Sequence, residues 1–162
     1  MSTAITLPEA SDRAGLFTAL LPQLEALIAD EQDMIANMAN VAAVLHTAFA
    51  WHWVGFYRVD GNTLVLGPFQ GPVACTRIPY GKGVCGTAWS SGRTIVVPDV
   101  DQFPGHIACS ALSRSEVVVP IHDKKGKVIA VLDVDSSELN DFSESDVSWL
   151  EGVCELLASA QG

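Results

Sequence analysis

Four cysteines, at positions 75, 85, 109 and 154, are the residues of this chain best suited to chemistry. Cys85 lies in Gly83-Val84-Cys85-Gly86, just ahead of a short helical stretch. Free backbone N–H groups and the helix dipole at such a place favour a thiolate. Cys109 sits in an irregular segment and is followed by Ser110, Ser113 and Arg114, groups that also favour a thiolate. Cys75 stands at a strand end. Any one of these alone reads as structural, but three in the loops of one small domain point to redox chemistry. Cys154 differs: it shares an apolar helical stripe with Val147, Leu150 and Leu157 and reads as a small buried hydrophobe. Zinc is the competing use. Structural zinc takes ligand pairs about two to four residues apart, whereas nine residues separate Cys75 and Cys85, and the nearest partner for Cys109 is His106. The spacing argues against a metal, and none is expected.

Carboxylates form the second constellation. Asp133 and Asp135 sit two apart on a strand and so point to one face, and Glu116 opens a neighbouring strand. Together they can bind an ammonium group or hold a proton for general acid catalysis. Trp53 and Tyr57, four apart on another strand, also share a face and can form an aromatic wall for a small cation or a methyl group. There is no G-x-S-x-G nucleophile elbow and no G-x-x-x-x-G-K-[ST] phosphate-binding loop, so esterase chemistry and phosphate-loop nucleotide binding have no support.

The elements that must hold these residues follow from periodicity. Met1 to Ala10 has little pattern and is expected to be flexible. A helix capped by Ser11 or Asp12 carries Leu16, Leu20, Leu24 and Leu27, with Pro22 expected to bend or restart it. A second helix spans about 31–49, its seam made of Ile35, Met38, Ala42, Leu45 and Phe49. After Trp51 the period changes to two. Strands are expected over 53–59 and 63–69 across an Asp60-Gly61-Asn62 turn, around 75–78, and over 94–97. Gly81 to Gly86 reads as a flexible stretch leading into a helix over 87–90, and 100–114 as a long irregular segment. A second hairpin joins 117–122 to 128–134. A last helix starts at Ser143, with Asp146 completing a capping box. The order implies an α+β fold: an antiparallel sheet with helices mainly on one face, in one domain over residues 1–162.

Composition narrows the function class. The 162 residues are 49% hydrophobic and 17% charged, enough for a real core. Nine Lys and Arg stand against nineteen Asp and Glu, a net charge of −10, and this disfavours nucleic acid and anionic membranes as partners. With no secretory signal and no apolar run of membrane-spanning length, the expectation is a cytoplasmic, soluble protein.

Longer motifs then carry a resemblance. Ala74-Cys75-Thr76-Arg77-Ile78-Pro79, Gly81-Lys82-Gly83-Val84-Cys85-Gly86-Thr87-Ala88 and Phe103-Pro104-Gly105-His106-Ile107-Ala108-Cys109 resemble the signature of the free methionine-(R)-sulfoxide reductases, as do Trp53-Val54-Gly55-Phe56-Tyr57, Ser115 to Pro120 and Leu132 to Ser136. The resemblance implies a GAF fold with a six-stranded antiparallel sheet flanked by N- and C-terminal helices. It implies reduction of free methionine (R)-sulfoxide, with Cys109 as nucleophile and either Cys75 or Cys85 as resolving thiol. Glu116, Asp133 and Asp135 match the family's pocket carboxylates, and Trp53 and Tyr57 its aromatic wall. A sulfenic acid at Cys109 would condense to an intramolecular disulfide, recycled by thioredoxin, with no cofactor and in a homodimer. A GAF-type sensor domain that only binds a small ligand is the alternative; it leaves the three loop cysteines without a purpose.

Overall fold

The computed structural model describes residues 4–9, 12–107 and 110–161. Two helices, α1 (Arg13–Ile28) and α2 (Met34–Phe49), precede strands β1 (Trp53–Asp60), β2 (Thr63–Gln70) and β3 (Arg77–Pro79). Helix α3 (Gly83–Ser91) and the short β4 (Ile95–Val97) follow. The hairpin of β5 (Ser115–His122) and β6 (Val128–Ser136) leads to α4 (Glu144–Ser159). The strands form one antiparallel sheet in the order β3-β2-β1-β6-β5-β4. The α+β, six-stranded architecture expected from the sequence is the one observed.

Period-two alternation sorts the strand residues between two cores. Val54 and Phe56 of β1, Val117, Val119 and Ile121 of β5, and Ala130, Leu132 and Val134 of β6 face α1, α2 and α4. The intervening residues Trp53, Tyr57, Val118 and Val131 face the other way, against Val84, Cys85 and Ala88 of α3. The functional residues of β1, β5 and β6 belong to this second, smaller face.

On the larger face, Asp12 caps α1 by accepting from Gly15 N at 2.7 Å. Helix α1 does not restart at Pro22 but runs through it as one element. Pro22 lies on the exposed side, and Thr18, whose carbonyl loses its helical donor, is exposed too, so water can satisfy it. The buried stripe is Phe17, Leu20, Leu24 and Ile28, a step away from the Leu16/Leu27 edge. In α2 the seam likewise shifts: Ile35 is exposed, and Met38, Val41, Ala42 and Leu45 carry the packing. Thr6 is fastened to α1, exchanging two hydrogen bonds of 2.8 Å with Gln23. Helix α4 begins at the expected capping box of Ser143 and Asp146, and Arg13 ties α1 to it through Asp141 at 2.8 Å and Asp146 at 2.9 Å. Among the described residues no helix is long and apolar enough to cross a membrane.

Two local expectations on the smaller face are corrected. The strand around 75–78 is shorter: β3 comprises Arg77–Pro79, and Cys75 lies before it because its carbonyl is engaged by the Tyr57 hydroxyl at 2.8 Å instead of a strand neighbour. The Gly81–Gly86 stretch is not a flexible lead-in. Helix α3 starts at Gly83, with Gly86 N donating to Lys82 O and Thr87 Oγ1 to Gly83 O. Packing of Val84, Cys85 and Ala88 outweighs the poor helix propensity of two glycines.

Candidate active site

Sheet register builds the floor of the site. Asp135 on β6 stands opposite Trp53 on β1 and opposite Glu116 on β5, so it lies between them across three adjacent strands. Asp133 is one pleat along, opposite Gly55 and Val118. All face the α3 side. Helix α3 brings Cys85 over this floor, and the segment after the Val100–Gln102 turn brings His106 and Ile107. The result is a cavity of about 40 Å³ whose walls include Trp53, Tyr57, Cys85, His106, Glu116, Asp133 and Asp135. Gly83 makes the closure possible. Its φ of +62° is left-handed, and a Cβ there would lie 2.9 Å from Ile107.

Burial sets the electrostatics. Cys85, Glu116 and Asp133 are 4%, 5% and 6% exposed. Loss of water, then the nearby charge of Asp135, pushes the Glu116 carboxyl up to about 8, against a smaller lowering by Asp133. Asp133 is raised well above the usual carboxylate range by burial and then by Glu116, and Asp135 by burial and then by Asp133. At neutral pH the cluster therefore holds protons. Ser113 donates to Asp135 Oδ1 at 2.9 Å, and Asp133 is hydrogen-bonded with Glu116, Cys85 and Asp135. His106 Nε2 stands 3.4 Å from Glu116 Oε1. Burial lowers the imidazole's pKa while Glu116 is raised, so at neutral pH this is a contact between two uncharged groups.

Trp53 and Tyr57 both line the cavity and do more besides. Trp53 stacks on Tyr57 at 6.0 Å and on Phe69 at 5.3 Å. Trp53 Nε1 donates to Pro72 O at 3.0 Å and the Tyr57 hydroxyl to Cys75 O at 2.8 Å. Both rings thus pin the segment that carries Cys75 to the rim of the cavity.

The cysteines separate into classes that the sequence left together. Cys75 is disulfide-bonded, and Cys85 and Cys154 are free and buried. Cys109 lies outside the described residues. The expectation that the start of α3 makes Cys85 a thiolate is overturned: burial, followed by Asp133 and Glu116, raises its pKa well above that of a free thiol. Cys154 is on the buried stripe of α4, as expected. Spacing argued against a metal, yet the fold places Cys85, Glu116 and Asp133 so that one ligating atom from each lies within 4.8 Å of the others.

Four contributors to the site were not singled out as site residues by sequence reasoning. His106 entered only as a zinc companion, although it stands inside the Phe103–Cys109 motif. Ser113, read as a neighbour of Cys109, serves Asp135 instead. His52 Nε2 meets Ser110 Oγ at 2.8 Å, a contact across 58 residues that leaves no local signal. Ile107 packs over Gly83 as part of the cavity wall. Arg114, expected near Cys109, is exposed, and its backbone bonds to Val100 and Ser136.

Comparison with known proteins agrees with this architecture. Residues 28–160 match the GAF domain family. The chain is 58% identical over 139 residues to GAF domain-containing protein A of Dictyostelium discoideum, covering 85% of this chain and 87% of that protein. It is 42% identical over 140 residues to the free methionine-R-sulfoxide reductase of Escherichia coli, covering 86% and 84%. The crystal structure of free methionine-R-sulfoxide reductase from Neisseria meningitidis in complex with its substrate superposes with a TM-score of 0.95 at 54% identity, covering 99% of this chain and 96% of that one. The chain belongs to the GAF-domain family of free methionine-R-sulfoxide reductases.

Proposed function

We propose that this chain reduces free methionine (R)-sulfoxide to methionine by a thiol mechanism. The carrying observation is a buried carboxyl held protonated near neutral pH, Glu116, in a cavity that also holds Asp133, Asp135 and the Trp53–Tyr57 wall. In this reading the Cys109 thiolate attacks the sulfinyl sulfur and Glu116 supplies a proton to the departing oxygen. The protonated oxygen then passes from the substrate sulfur to Cys109 Sγ: the sulfur–oxygen bond and the transient Sγ–sulfur bond break, the electron pair leaves with methionine, and Cys109, oxidised by two electrons, is left as a sulfenic acid. A second thiol then displaces water to form a disulfide. Cys75 is assigned this resolving role, supported by its being disulfide-bonded while Cys85 keeps a free, buried thiol of raised pKa. An external dithiol, thioredoxin in this proposal, restores both thiols by exchange.

Substrate choice follows from the acidic floor. The α-ammonium of a free amino acid can exchange its hydration for charge-assisted contacts with Asp133 and Asp135. An N-acylated or peptide-bound sulfoxide cannot. The test is single-turnover methionine release from free (R)-sulfoxide, free (S)-sulfoxide and N-acetyl-methionine sulfoxide. Release from the free (R) epimer is expected, with kcat/KM for the N-acetyl compound lower by at least tenfold. Cys109→Ser is expected to abolish release, and Cys75→Ser to permit one turnover and then stop. Binding of the free amino acid without any release by the intact chain would leave the sensor reading in its place.

A further inference from the structure

His52 stands at the junction of the two cores. Trp51 before it is 3% exposed and packs on the larger face, and Trp53 after it is 4% exposed and packs on the smaller one. Its backbone is therefore held from both sides, between the end of α2 and the start of β1. From this fixed point the chain reaches the segments that lead to Cys75 and to Cys109. Trp53 Nε1 donates to Pro72 O at 3.0 Å, three residues before Cys75. A Cβ on Gly71 would lie 2.8 Å from His52 O, so that segment passes directly against the His52 backbone. On the other side, His52 Nε2 lies 2.8 Å from the Oγ of Ser110, the residue that follows Cys109. Ser110 Oγ also accepts from Leu112 N at 3.3 Å. A hydroxyl both donates and accepts, so it can serve this amide and either tautomer of the imidazole together. Cys75 is disulfide-bonded while Cys85 and Cys154 are free, and Cys109 is the one other cysteine the chain offers.

We propose that His52 is a positioning residue for disulfide formation: through Ser110 it holds the segment bearing Cys109 beside the segment bearing Cys75, which Trp53 holds, and so raises the effective concentration of one sulfur at the other. The inference rests on the thiol mechanism proposed above. In its second step the Cys75 sulfur bonds to the Cys109 sulfur, the sulfur–oxygen bond of the sulfenic acid breaks, and the oxygen leaves as water with the thiol's proton. No outside oxidant is needed, because the sulfoxide has already taken the two electrons. His52 takes no part in these bond changes. It spares the closing step the entropy of bringing two irregular segments together.

Equilibration of the full chain with mixtures of reduced and oxidised glutathione measures this effective concentration. One oxidised glutathione converts the dithiol to the disulfide and yields two reduced ones, so no sulfoxide is required and the result is independent of the reductase reading. Peptide mapping is expected to join Cys75 to Cys109. His52→Leu and Ser110→Ala should each lower the effective concentration by roughly two- to tenfold, the worth of one hydrogen bond. The double variant should lose no more than either single one, since both remove the same contact. His52→Gln, whose amide can take the place of Nε2, should lie closer to the parent than to His52→Leu, which a merely structural role would not give. Where His52→Leu does not fold, Ser110→Ala, which removes one half-buried hydroxyl, decides. Failure of the parent chain to release methionine from the free sulfoxide would sink the reductase reading and leave the glutathione result to decide this one. An unchanged effective concentration in folded His52→Leu or in Ser110→Ala, a multiplied loss in the double variant, or a Cys75 disulfide that excludes Cys109 would each overturn the assignment.

Discussion

Glu116 combines two demands that oppose each other in water: it must be acidic enough to give a proton and yet still carry one at neutral pH. Burial against β6, with Asp135 opposite, meets both by pushing its carboxyl up to about 8. If Glu116 is the general acid, kcat/KM reports its state in the free enzyme, so activity should fall as pH rises through about 8. Glu116→Gln is expected to lower kcat by roughly 10²–10⁴ and to remove this alkaline limb. A pH profile of both proteins checks it. Loss of activity with the limb retained would assign the limb to another group. Asp133 and Asp135 share the environment but not the partners: Asp135 is tied by Ser113, whereas Asp133 is held by Glu116 and Cys85.

At the scale of elements, the site depends on how two irregular segments are fastened to the sheet. Tyr57 holds the carbonyl of Cys75 from β1. Tyr57→Phe keeps the ring and removes only this tether, so stability should drop by about 0.5–1.5 kcal/mol. Methionine release in a single turnover should be unchanged while disulfide formation slows, and quenched-flow thiol counting separates the two steps. The other fastening is the passage of Ile107 over Gly83. Gly83→Ala combines a left-handed backbone, costing an L-residue roughly 1–2 kcal/mol, with a Cβ 2.9 Å from Ile107. The expected result is lower stability together with a raised KM, because the 103–107 segment must shift. Denaturant unfolding and steady-state kinetics on one preparation measure both.

For the whole molecule, the protonated floor gives stability an unusual pH dependence. Glu116 holds its proton in the folded chain up to about 8 but loses it in the unfolded chain near 4.5. Between those values the folded state binds more protons, so stability is fully present below about 4.5 and is lost as pH rises through about 8. The slope is about 1.4 kcal/mol per pH unit for one such group. Asp133 and Asp135, also raised, act in the same direction. Urea unfolding is therefore expected to show a more stable chain at pH 5 than at pH 8, with a flatter dependence in Glu116→Gln. A rise in stability over this interval would show that the cluster is ionised in the folded state.

Local spacing determined a good deal of this protein. Period-two alternation put Trp53 with Tyr57 and Asp133 with Asp135 on common faces, and the Ser143–Asp146 pair marked the start of α4. Turn residues marked both hairpins, because neighbours in the chain suffice to specify these features. The motif resemblance supplied the family and the roles expected of the site residues. Tertiary structure alone decided which faces meet. Register set Glu116 opposite Asp135, and α3 laid Cys85 over them. Burial by residues distant in sequence kept the carboxyls protonated and turned a presumed thiolate at a helix start into a neutral thiol. The contacts of His106 with Glu116 and of His52 with Ser110 belong to the same class. Desolvation and packing across tens of residues leave no periodic trace in a chain, and so the site's protonation and its tethers became legible only once the sheet and its cover were assembled.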